Sequence, residues 1–274
     1  MKEKILVITP TLGNRDTLSK TIESVREIGG DLVKHVIVTP QSQIPLIKKS
    51  FGDIECLPEQ EGKKGIYAAL NHGFKTYGKD FEYLTFINDD DYWLPDFKLL
   101  INAIEEGYDF VYGKVNYILE NKNGEIKPMA CSNQFKDFIP LLYHKIILFT
   151  QQATLIKSNL FFELGGFSED FKLVSDTKFW ADLSLLNIKY KYIPKPCAAY
   201  IHQDGKLSNK ELQTLESIRM IEQMPQFSLL RRYLAVLKFR LINSFVYISR
   251  YLKGLSITCN GDFRPNVTIT NTNS

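Results

Sequence analysis

The sequence predicts an α/β fold built around one large domain, and the first segments of the chain support this class. KILVIT at 4–9 is a β-branched apolar run, typical of fully buried strands in parallel sheets. DTLSKTIESVREIGG at 16–30 follows it with apolar residues at helical spacing, and KHVIVTP at 34–40 is a second strand pattern. Strand, helix and strand in this order predict a βαβ unit with a right-handed crossover.

The same alternation of strand and helix continues along the chain. In the first helix, Asp16 is the predicted N-cap and Gly29 the predicted stop signal. Further helices are predicted at 66–78, 95–107, 159–167 and 175–187, and further strands at 83–88, 109–119 and 189–202. NKNGE at 121–125 is a hairpin-type turn, whereas residues 134–156 are aromatic and apolar without a clear period.

Composition and charge exclude several classes of protein. The chain has 274 residues, a formal net charge of +3 and a pI near 8.5, which is not the basic character of a dedicated nucleic-acid binder. Its cysteines are scattered, so neither a zinc knuckle nor a disulfide framework is predicted. The N-terminal apolar run is too short for a signal peptide, and no uncharged stretch reaches the ~18 residues of a membrane span. We therefore expect a cytoplasmic protein that does not bind nucleic acid.

Three consecutive carboxylates, Asp89, Asp90 and Asp91, follow the strand predicted at 83–88. Adjacent like charges repel each other, so stability alone does not explain the cluster. In open α/β sheets, ligands bind just beyond the C-terminal ends of the strands, where this cluster falls. Carboxylate oxygens are common ligands of Mg²⁺ and Mn²⁺, which also bridge substrate phosphates. A solvated acidic turn is the alternative, but the flanking strand and YWLP at 92–95 would bury the base of the loop.

Five segments of the chain stand in an order that is found in a known enzyme family. They are VITPTLGNRDTLSKTIESV, KKGIYAALNHGF, FINDDDYW, QQATLIKSNLFFELGGFSEDFKLVSD and AAYIHQDGKLS. Together they resemble family 2 glycosyltransferases over residues 4–208, and five segments in family order are far more specific than one. The chain most resembles the subset that builds bacterial surface polysaccharides of the colanic-acid or O-antigen type. The resemblance implies the GT-A fold, a Rossmann-like mixed sheet flanked by helices, with a nucleotide-sugar donor and a Mn²⁺ or Mg²⁺ cofactor.

The resemblance also implies roles for individual residues. Asp90 matches the metal-binding Asp of the family's DxD motif, and Asp89 stands where relatives contact ribose or metal. The implied metal ligands are Asp90, Asp91 and His202, although a lone His near a strand end is also commonly structural. The implied nucleotide-sugar contacts are Thr9, Pro10, Thr11, Asn14, Thr39, Lys64 and Asp89. A solvated lysine is the alternative for Lys64, because another lysine precedes it.

The sequence departs from the family pattern at three positions. Asn88 stands where many relatives have the first Asp of the motif, so metal binding depends on fewer charges. Thr39 stands where the family commonly has an Asp that contacts the base, and Ala68 where this subset has another Asp. A Thr hydroxyl can hydrogen-bond the edge of a base, but it is not an anionic acceptor. The sequence therefore does not identify the nucleobase of the donor.

The resemblance places the family's catalytic base at Asp176, at the start of a predicted helix. A sugar hydroxyl is a weak nucleophile, so a carboxylate has to take its proton as the new bond forms. An Asp at a helix start can also be an N-cap, and the two roles are compatible. Glu169 and Asp170 are lower-ranked alternatives for the base, and Trp93 and Trp180 are predicted to be packing residues.

Residues 227–254 form a basic and apolar region that contains no acidic residue. Its basic residues are Arg231, Arg232, Lys238, Arg240, Arg250 and Lys253. An apolar stripe at helical spacing consists of Leu230, Leu234, Leu237, Leu241, Phe245, Ile248 and Leu252. Phe239, Ile242 and Val246 make the other side apolar as well. The pattern fits a helix on an anionic membrane surface, and equally one that packs on the domain or dimerises.

The sequence therefore predicts a GT-A domain at 1–210, a C-terminal helical appendage at 211–254 and a tail at 255–274. The expected function is an inverting, metal-dependent glycosyltransferase that moves a sugar, preferably from a UDP-sugar, to a glycan or lipid-linked acceptor. Membrane contact through residues 227–254 would place it at the inner face of the cell membrane, and its oligomeric state is left open. The alternatives are a sugar-nucleotide nucleotidyltransferase, which lacks support because residues 9–18 are not Gly-rich, and a non-catalytic binding protein of the same fold.

Overall fold

A computed structural model describes residues 3–119, 125–202 and 210–252. The strands of its sheet are β1 (Ile5–Pro10), β2 (Val33–Thr39), β3 (Glu55–Pro58), β4 (Tyr83–Phe86), β5 (Tyr92–Trp93), β6 (Phe110–Leu119), β7 (Glu125–Pro128), β8 (Thr154–Lys157) and β9 (Tyr190–His202). The helices are α1 (Leu18–Gly29), α2 (Ile44–Phe51), α3 (Ile66–Tyr77), α4 (Lys98–Ile104), α5 (Phe138–Leu142), α6 (Ser158–Glu163), α7 (Ser175–Leu185), α8 (Lys210–Glu222), α9 (Leu229–Ile242) and α10 (Ser244–Leu252).

The strands form one mixed sheet in the order β3-β2-β1-β4-β8-β6-β9-β5, with β7 paired to β6. The first four strands in this order are parallel, β8 runs antiparallel to both of its neighbours, and β6 and β9 are parallel again. The parallel strands bring the C-terminal ends of β1, β2 and β4 to one edge of the sheet. The predicted α/β class with a mixed sheet and flanking helices is confirmed.

Both faces of the central strand β1 are buried. Leu6 and Ile8 belong to the larger hydrophobic cluster on one side, and Ile5 and Val7 to a second cluster on the other side. Successive side chains of a strand point to opposite faces, so a strand between two helical layers is apolar at every position. This burial accounts for the unbroken apolar run at the start of the sequence.

Several elements differ in position from the sequence prediction. Helix α1 begins at Leu18 with Thr17 as its N-cap, so the predicted cap at Asp16 is wrong by one residue. The segment predicted as a helix at 95–107 is a short 3₁₀ turn followed by α4, which ends at Ile104. The stretch at 134–156 contains α5 and most of β8. All residues of α5 and the first three of β8 are buried, and such burial removes the periodicity that would have revealed these elements. The predicted hairpin turn at 121–125 lies almost wholly outside the described residues, and β6 and β7 on either side of it pair as antiparallel strands.

The C-terminal region forms two helices, α9 and α10, which are divided at Asn243. The side chain of Asn243 accepts a hydrogen bond from the backbone N–H of Cys131 at 3.0 Å and donates one to the carbonyl of Phe239 at 2.9 Å. Met220 of α8 and Phe239 of α9 belong to the larger hydrophobic cluster, together with residues of the sheet. The helices after residue 210 therefore share the core of the domain.

Candidate active site

Asp89 and Asp90 lie in the loop that leaves β4, at the C-terminal edge of the parallel strands, and both are buried. The Arg15 guanidinium donates to Asp89 Oδ1 at 3.0 Å and to Asp90 Oδ2 at 2.5 Å. Thr11, just beyond the end of β1, donates its hydroxyl to Asp89 Oδ2 at 2.6 Å. One cation thus bridges two neighbouring carboxylates and offsets part of their mutual repulsion, which leaves a net negative charge on the pair.

The N-cap and the first turn of α1 hold the backbone of this acidic loop. The Thr17 hydroxyl donates to the carbonyl of Asp89 at 2.8 Å, and the Thr21 hydroxyl donates to the carbonyl of Asp91 at 2.7 Å. These contacts satisfy loop carbonyls that lie inside the protein. Threonines at i and i+4 on one helix face therefore fix the position of the carboxylates.

The carboxylate of Asp91 has contacts on another side of the loop. It accepts from Gln152 Nε2 at 2.8 Å, from the backbone N–H of Ile201 at 3.3 Å and from Asn88 Nδ2 at 3.4 Å, and the residue is completely buried. These bonds join the acidic loop to the end of β9, where His202 is the next residue. The side chain of His202 lies outside what the structure describes, so its role as a metal ligand stays a prediction, as does that of Asp91.

The loop after β1 and the end of β2 bring several predicted nucleotide contacts to the same edge of the sheet. The backbone N–H of Thr11 bonds to the carbonyl of Val38 at 2.9 Å, and the Thr11 hydroxyl accepts from the N–H of Gly13 at 2.9 Å. Asn14 and Lys64 are exposed, whereas Pro10, at the end of β1, is half-buried.

Thr39 is completely buried, and its hydroxyl has no hydrogen-bond partner within the described residues. A buried polar atom without a partner is rare, because leaving it unpaired costs about 1–3 kcal/mol. Thr39 lies at the end of β2, but its hydroxyl has almost no accessible surface, so a contact between Thr39 and the base of a nucleotide stays a prediction.

Thr9 is also completely buried, but its hydroxyl differs from that of Thr39 because it has a partner inside the sheet. Its Oγ1 is 2.9 Å from Nε2 of His35 on the neighbouring strand β2. Burial, and to a smaller extent the charge of Arg26, lowers the pKa of His35 from 6.5 to about 3. The imidazole is therefore neutral in the folded protein near neutral pH.

The lowered pKa of His35 predicts that acid weakens the fold. Below about pH 6.5 the unfolded chain binds a proton at His35 that the folded protein does not accept until about pH 3, so stability falls with pH through this window. We expect His35 to contribute a loss of roughly 1.5 kcal/mol to the free energy of unfolding between pH 6.5 and pH 5, measured by urea denaturation of the two proteins. His35→Gln should reduce this loss, since the amide can hydrogen-bond Thr9 but does not titrate; an equal loss in both proteins would contradict the prediction.

Asp176 is the second residue of α7 and is buried, with a relative exposure of 9%. Its Oδ1 accepts from the Tyr67 hydroxyl at 2.9 Å and from the backbone N–H of Thr177 at 2.8 Å. Val174 occupies the N-cap position, so Asp176 is not the N-cap of this helix.

The side chains of Glu216 and Asn71 hold the segment that leads into α7, and no local pattern in the sequence indicates either contact. The carboxylate of Glu216, on α8, accepts from the backbone N–H groups of Lys172 and Leu173, both at 2.8 Å. Asn71 exchanges hydrogen bonds with the backbone of Phe167, donating to its carbonyl at 2.7 Å and accepting from its N–H at 2.9 Å. These bonds fix the backbone on the N-terminal side of Asp176.

Glu169 and Asp170, the alternatives for the catalytic base, have different surroundings from Asp176. Glu169 forms an ion pair with Lys63, whose hydrogen bond is the main cause that lowers the pKa of the Glu169 carboxyl. A lowered pKa makes this carboxylate a weaker base. Asp170 is exposed.

The two tryptophans pack in the interior, as predicted. Trp93 stacks on Phe97 with ring centroids 3.7 Å apart, and Trp180 packs against Phe110 and Phe179 at 5.3 and 5.1 Å.

Asp89 and Asp90 fit a divalent cation by the chemistry of their donor atoms. Within the described part of the chain, no group of three or more His, Cys, Asp or Glu side chains is arranged to hold a metal ion. Mg²⁺ and the similar Mn²⁺ commonly use only one or two protein carboxylates and complete their coordination with substrate phosphates and water. Asp89 and Asp90 supply these two carboxylates, and the pair already binds one cationic group, the guanidinium of Arg15.

Because Arg15 shares these carboxylates, it should compete with a metal ion. A unit charge about 5 Å from a divalent ion costs about 1.5 kcal/mol in a water-like dielectric, which is about tenfold in affinity. We therefore expect Arg15→Gln to tighten Mn²⁺ binding about tenfold without any donor present, as measured by electron paramagnetic resonance of free Mn²⁺. Lys48→Gln removes the same charge from the exposed surface of α2 and should leave the affinity unchanged. An unchanged affinity in Arg15→Gln would show that the guanidinium does not compete.

The mixed sheet, with an acidic pair at the C-terminal ends of its parallel strands, defines a GT-A glycosyltransferase fold. The family model described as glycosyl transferase family 2 matches residues 6–168, more than half of the chain, and the chain belongs to this family. Nothing among curated proteins matches the chain.

Solved structures of glycosyltransferases share the fold. Residues 1–349 of S. aureus TarS in complex with UDP-GlcNAc align with a TM-score of 0.58 and 17% identity, over 90% of this chain and 74% of that one. The same part of TarS in complex with UDP gives a TM-score of 0.58 and 17% identity, over 90% and 73%. The mannosyltransferase PcManGT from Pyrobaculum calidifontis, in complex with GDP-Man and Mn²⁺, gives 0.53 and 16%, over 92% and 74%. At these identities the similarity establishes the fold.

Proposed function

We propose that the protein is an inverting, metal-dependent glycosyltransferase that moves a sugar from a nucleoside diphosphate to a hydroxyl of a glycan or lipid-linked saccharide. The proposal depends on the buried pair Asp89 and Asp90, which forms ion pairs with Arg15 at the C-terminal edge of the sheet. The chain that carries this pair belongs to glycosyl transferase family 2. Synthesis of a bacterial surface polysaccharide is the proposed setting. A position at the inner face of the cell membrane belongs to the same proposal, because lipid-linked acceptors are found there.

The donor end of the proposed site consists of the acidic pair and the loop after β1. Asp90 would hold Mn²⁺ or Mg²⁺, with Asp89, Asp91 and His202 as the further candidates. When bound, such an ion supplies positive charge to the diphosphate as it leaves the sugar. Neighbours of the same fold support a nucleotide-sugar donor, since TarS was solved with UDP-GlcNAc and PcManGT with GDP-Man and Mn²⁺. We favour a UDP-sugar, with Thr39 at the base and Thr11, Asn14 and Lys64 as further contacts to the nucleotide.

The acceptor end of the proposed site is Asp176. Its carboxylate takes the proton of an acceptor hydroxyl while that oxygen forms a bond to the anomeric carbon of the donor sugar. The bond from the anomeric carbon to the diphosphate oxygen breaks on the opposite face, and its electron pair leaves with the nucleoside diphosphate. One displacement inverts the anomeric configuration, so an α-linked donor gives a β-linked product. Tyr67 and the N–H of Thr177 would hold the carboxylate in position through Oδ1.

A screen of UDP- and GDP-sugars by calorimetry, with and without Mn²⁺, tests the proposal at the donor end. We expect tight binding of one nucleotide-sugar only when Mn²⁺ is present, and transfer to a saccharide acceptor with an inverted anomeric centre by NMR. Formation of a nucleotide-sugar from a sugar phosphate and a nucleoside triphosphate would identify a nucleotidyltransferase instead. Binding of a nucleotide-sugar without turnover on any saccharide would support a non-catalytic binding protein.

A further inference from the structure

The outer side of α9 carries a row of exposed leucines. Leu230, Leu234, Leu237 and Leu241 have relative exposures of 69%, 54%, 55% and 65%. Their spacing of four, three and four residues places them in a single stripe along the helix. Phe245 and Ile248 of α10 are 81% and 56% exposed and follow the stripe along the chain. We call these six residues the leucine stripe.

The opposite side of α9 is fixed to the domain, so the leucine stripe cannot turn inward. Ala235, Val236 and Phe239 are buried in the larger hydrophobic cluster, and the carbonyl of Ala235 accepts from Gln134 Nε2 at 3.3 Å. The Arg232 guanidinium lies 3.6 Å from the centre of the Tyr143 ring, just after α5. Packing on the domain is one of the roles that the sequence leaves open for this stripe. These six residues are exposed, and the opposite side of α9 packs on the domain instead.

Cationic side chains border the leucine stripe on both sides. At about 100° per residue, Arg231 and Lys238 follow it on one side, and Arg240 lies on the other side beside Tyr233. All four residues are exposed. Long basic side chains can lay their apolar stems along a hydrophobic surface and keep their charge in water. The segment 227–252 contains no Asp or Glu.

We propose that the leucine stripe and its basic border bind the surface of an anionic lipid bilayer, with the leucines at the boundary between headgroups and acyl chains. An apolar helix face with cations on its edges is the arrangement of helices that lie in this interface. No helix within the described residues has the length and apolar character needed to cross a bilayer, and α9 would lie flat on it. The inference deepens the proposed function by naming the surface that would reach a lipid-linked acceptor, but it does not depend on catalysis.

The same charges argue against a second copy of the chain as the occupant. A two-fold symmetric contact would place the stripe of one chain on that of the other. Its basic borders would then face each other, with no acidic residue in the segment to compensate. Anionic headgroups supply the opposite charge and also accept the apolar side chains.

Co-sedimentation of the full chain with lipid vesicles tests this inference. We expect binding to vesicles of mixed phosphatidylcholine and phosphatidylglycerol at low salt, and binding weaker by about tenfold to phosphatidylcholine alone or at high salt. Leu234→Gln with Leu237→Gln should weaken binding to the mixed vesicles about tenfold, because two apolar side chains no longer enter the interface. Leu46→Gln with Leu185→Gln changes two leucines of similar exposure, 58% and 49%, on α2 and α7, and should bind like the unchanged protein.

Several results would overturn the inference. They are no binding of the unchanged protein to the mixed vesicles, equal binding to neutral ones, or equal binding by the two double variants. A dimer in analytical ultracentrifugation that only Leu234→Gln with Leu237→Gln converts to a monomer would identify a second copy as the occupant.

Calorimetric binding of the nucleotide-sugar in solution should be the same in all three proteins. Loss of donor binding in every protein would count against the proposed function, whereas loss of vesicle binding alone would count against this inference.

Discussion

Replacement of Asp176 by Asn should lower the turnover number about 10²–10⁴-fold, because the amide cannot accept the proton of the acceptor hydroxyl. The substitution keeps the shape of the side chain, and its carbonyl oxygen can still accept from Tyr67 and from the N–H of Thr177. Donor affinity should therefore stay within about twofold, since the base acts on the acceptor. Turnover measured by release of the nucleoside diphosphate, together with calorimetry of the donor, separates the two effects.

A matched control for this prediction lies on the same helix. Asp182 forms an ion pair with Lys178 at 2.5 Å, and 38% of its side chain is exposed. Asp182→Asn makes the same chemical change six residues further along α7, at an exposed ion pair outside the proposed site. It should leave turnover unchanged. Normal turnover in Asp176→Asn, or a product that keeps the configuration of the donor, would rule out Asp176 as the base of an inverting reaction. Activity lost instead in Glu169→Gln or Asp170→Asn would move the role to that residue.

The parts of the fold that the sequence could predict are those with a local signal. Ile5 to Ile8 are apolar at each position of a strand buried on both faces, and α1 beside it repeats its apolar residues at helical spacing. The position of Asp89 and Asp90 at the sheet edge also follows from local order, because the loop leaves a strand directly. By contrast, β3 has only four half-buried residues, and α2 before it is short, so neither stood out as a pattern.

The contacts that shape the candidate site could not be predicted, because they join residues far apart in the chain. Arg15 and Asp89 are 74 positions apart, and Glu216 binds backbone groups 43 and 44 positions before it. No spacing rule connects such residues, and a lone Arg in a loop carries no signal of its own. The exposure of the leucine stripe on α9 could not be predicted either, because apolar residues on both sides of a helix do not reveal which side faces outward.

Replacement of Asp90 by Asn should abolish most transfer and most metal-dependent donor binding. The substitution removes one of the two negative charges proposed to hold Mn²⁺ or Mg²⁺, and loss of several kcal/mol of charge stabilisation at the diphosphate corresponds to at least about 10²-fold in rate. The fold should survive, because Asp89 keeps its bonds to Arg15 and Thr11 and repulsion between neighbouring carboxylates is relieved. The measurements are turnover, calorimetry of the nucleotide with and without Mn²⁺, and the melting temperature.

Asp16→Asn provides the matched control for Asp90, because it removes the same charge from an exposed residue next to Arg15. We expect its turnover and Mn²⁺ dependence to equal those of the unchanged protein, since a solvated carboxylate at this position is screened by salt. If Asp90 holds the ion, EDTA should abolish activity in the unchanged protein and in Asp16→Asn, and added Mn²⁺ should restore it in both. Full activity in EDTA, or donor binding by Asp90→Asn that still strengthens normally with Mn²⁺, would remove Asp90 from the metal site. The Arg15 contact to Asp90 would then be structural, and the residual role of the acidic pair would be to fix the loop beside the nucleotide.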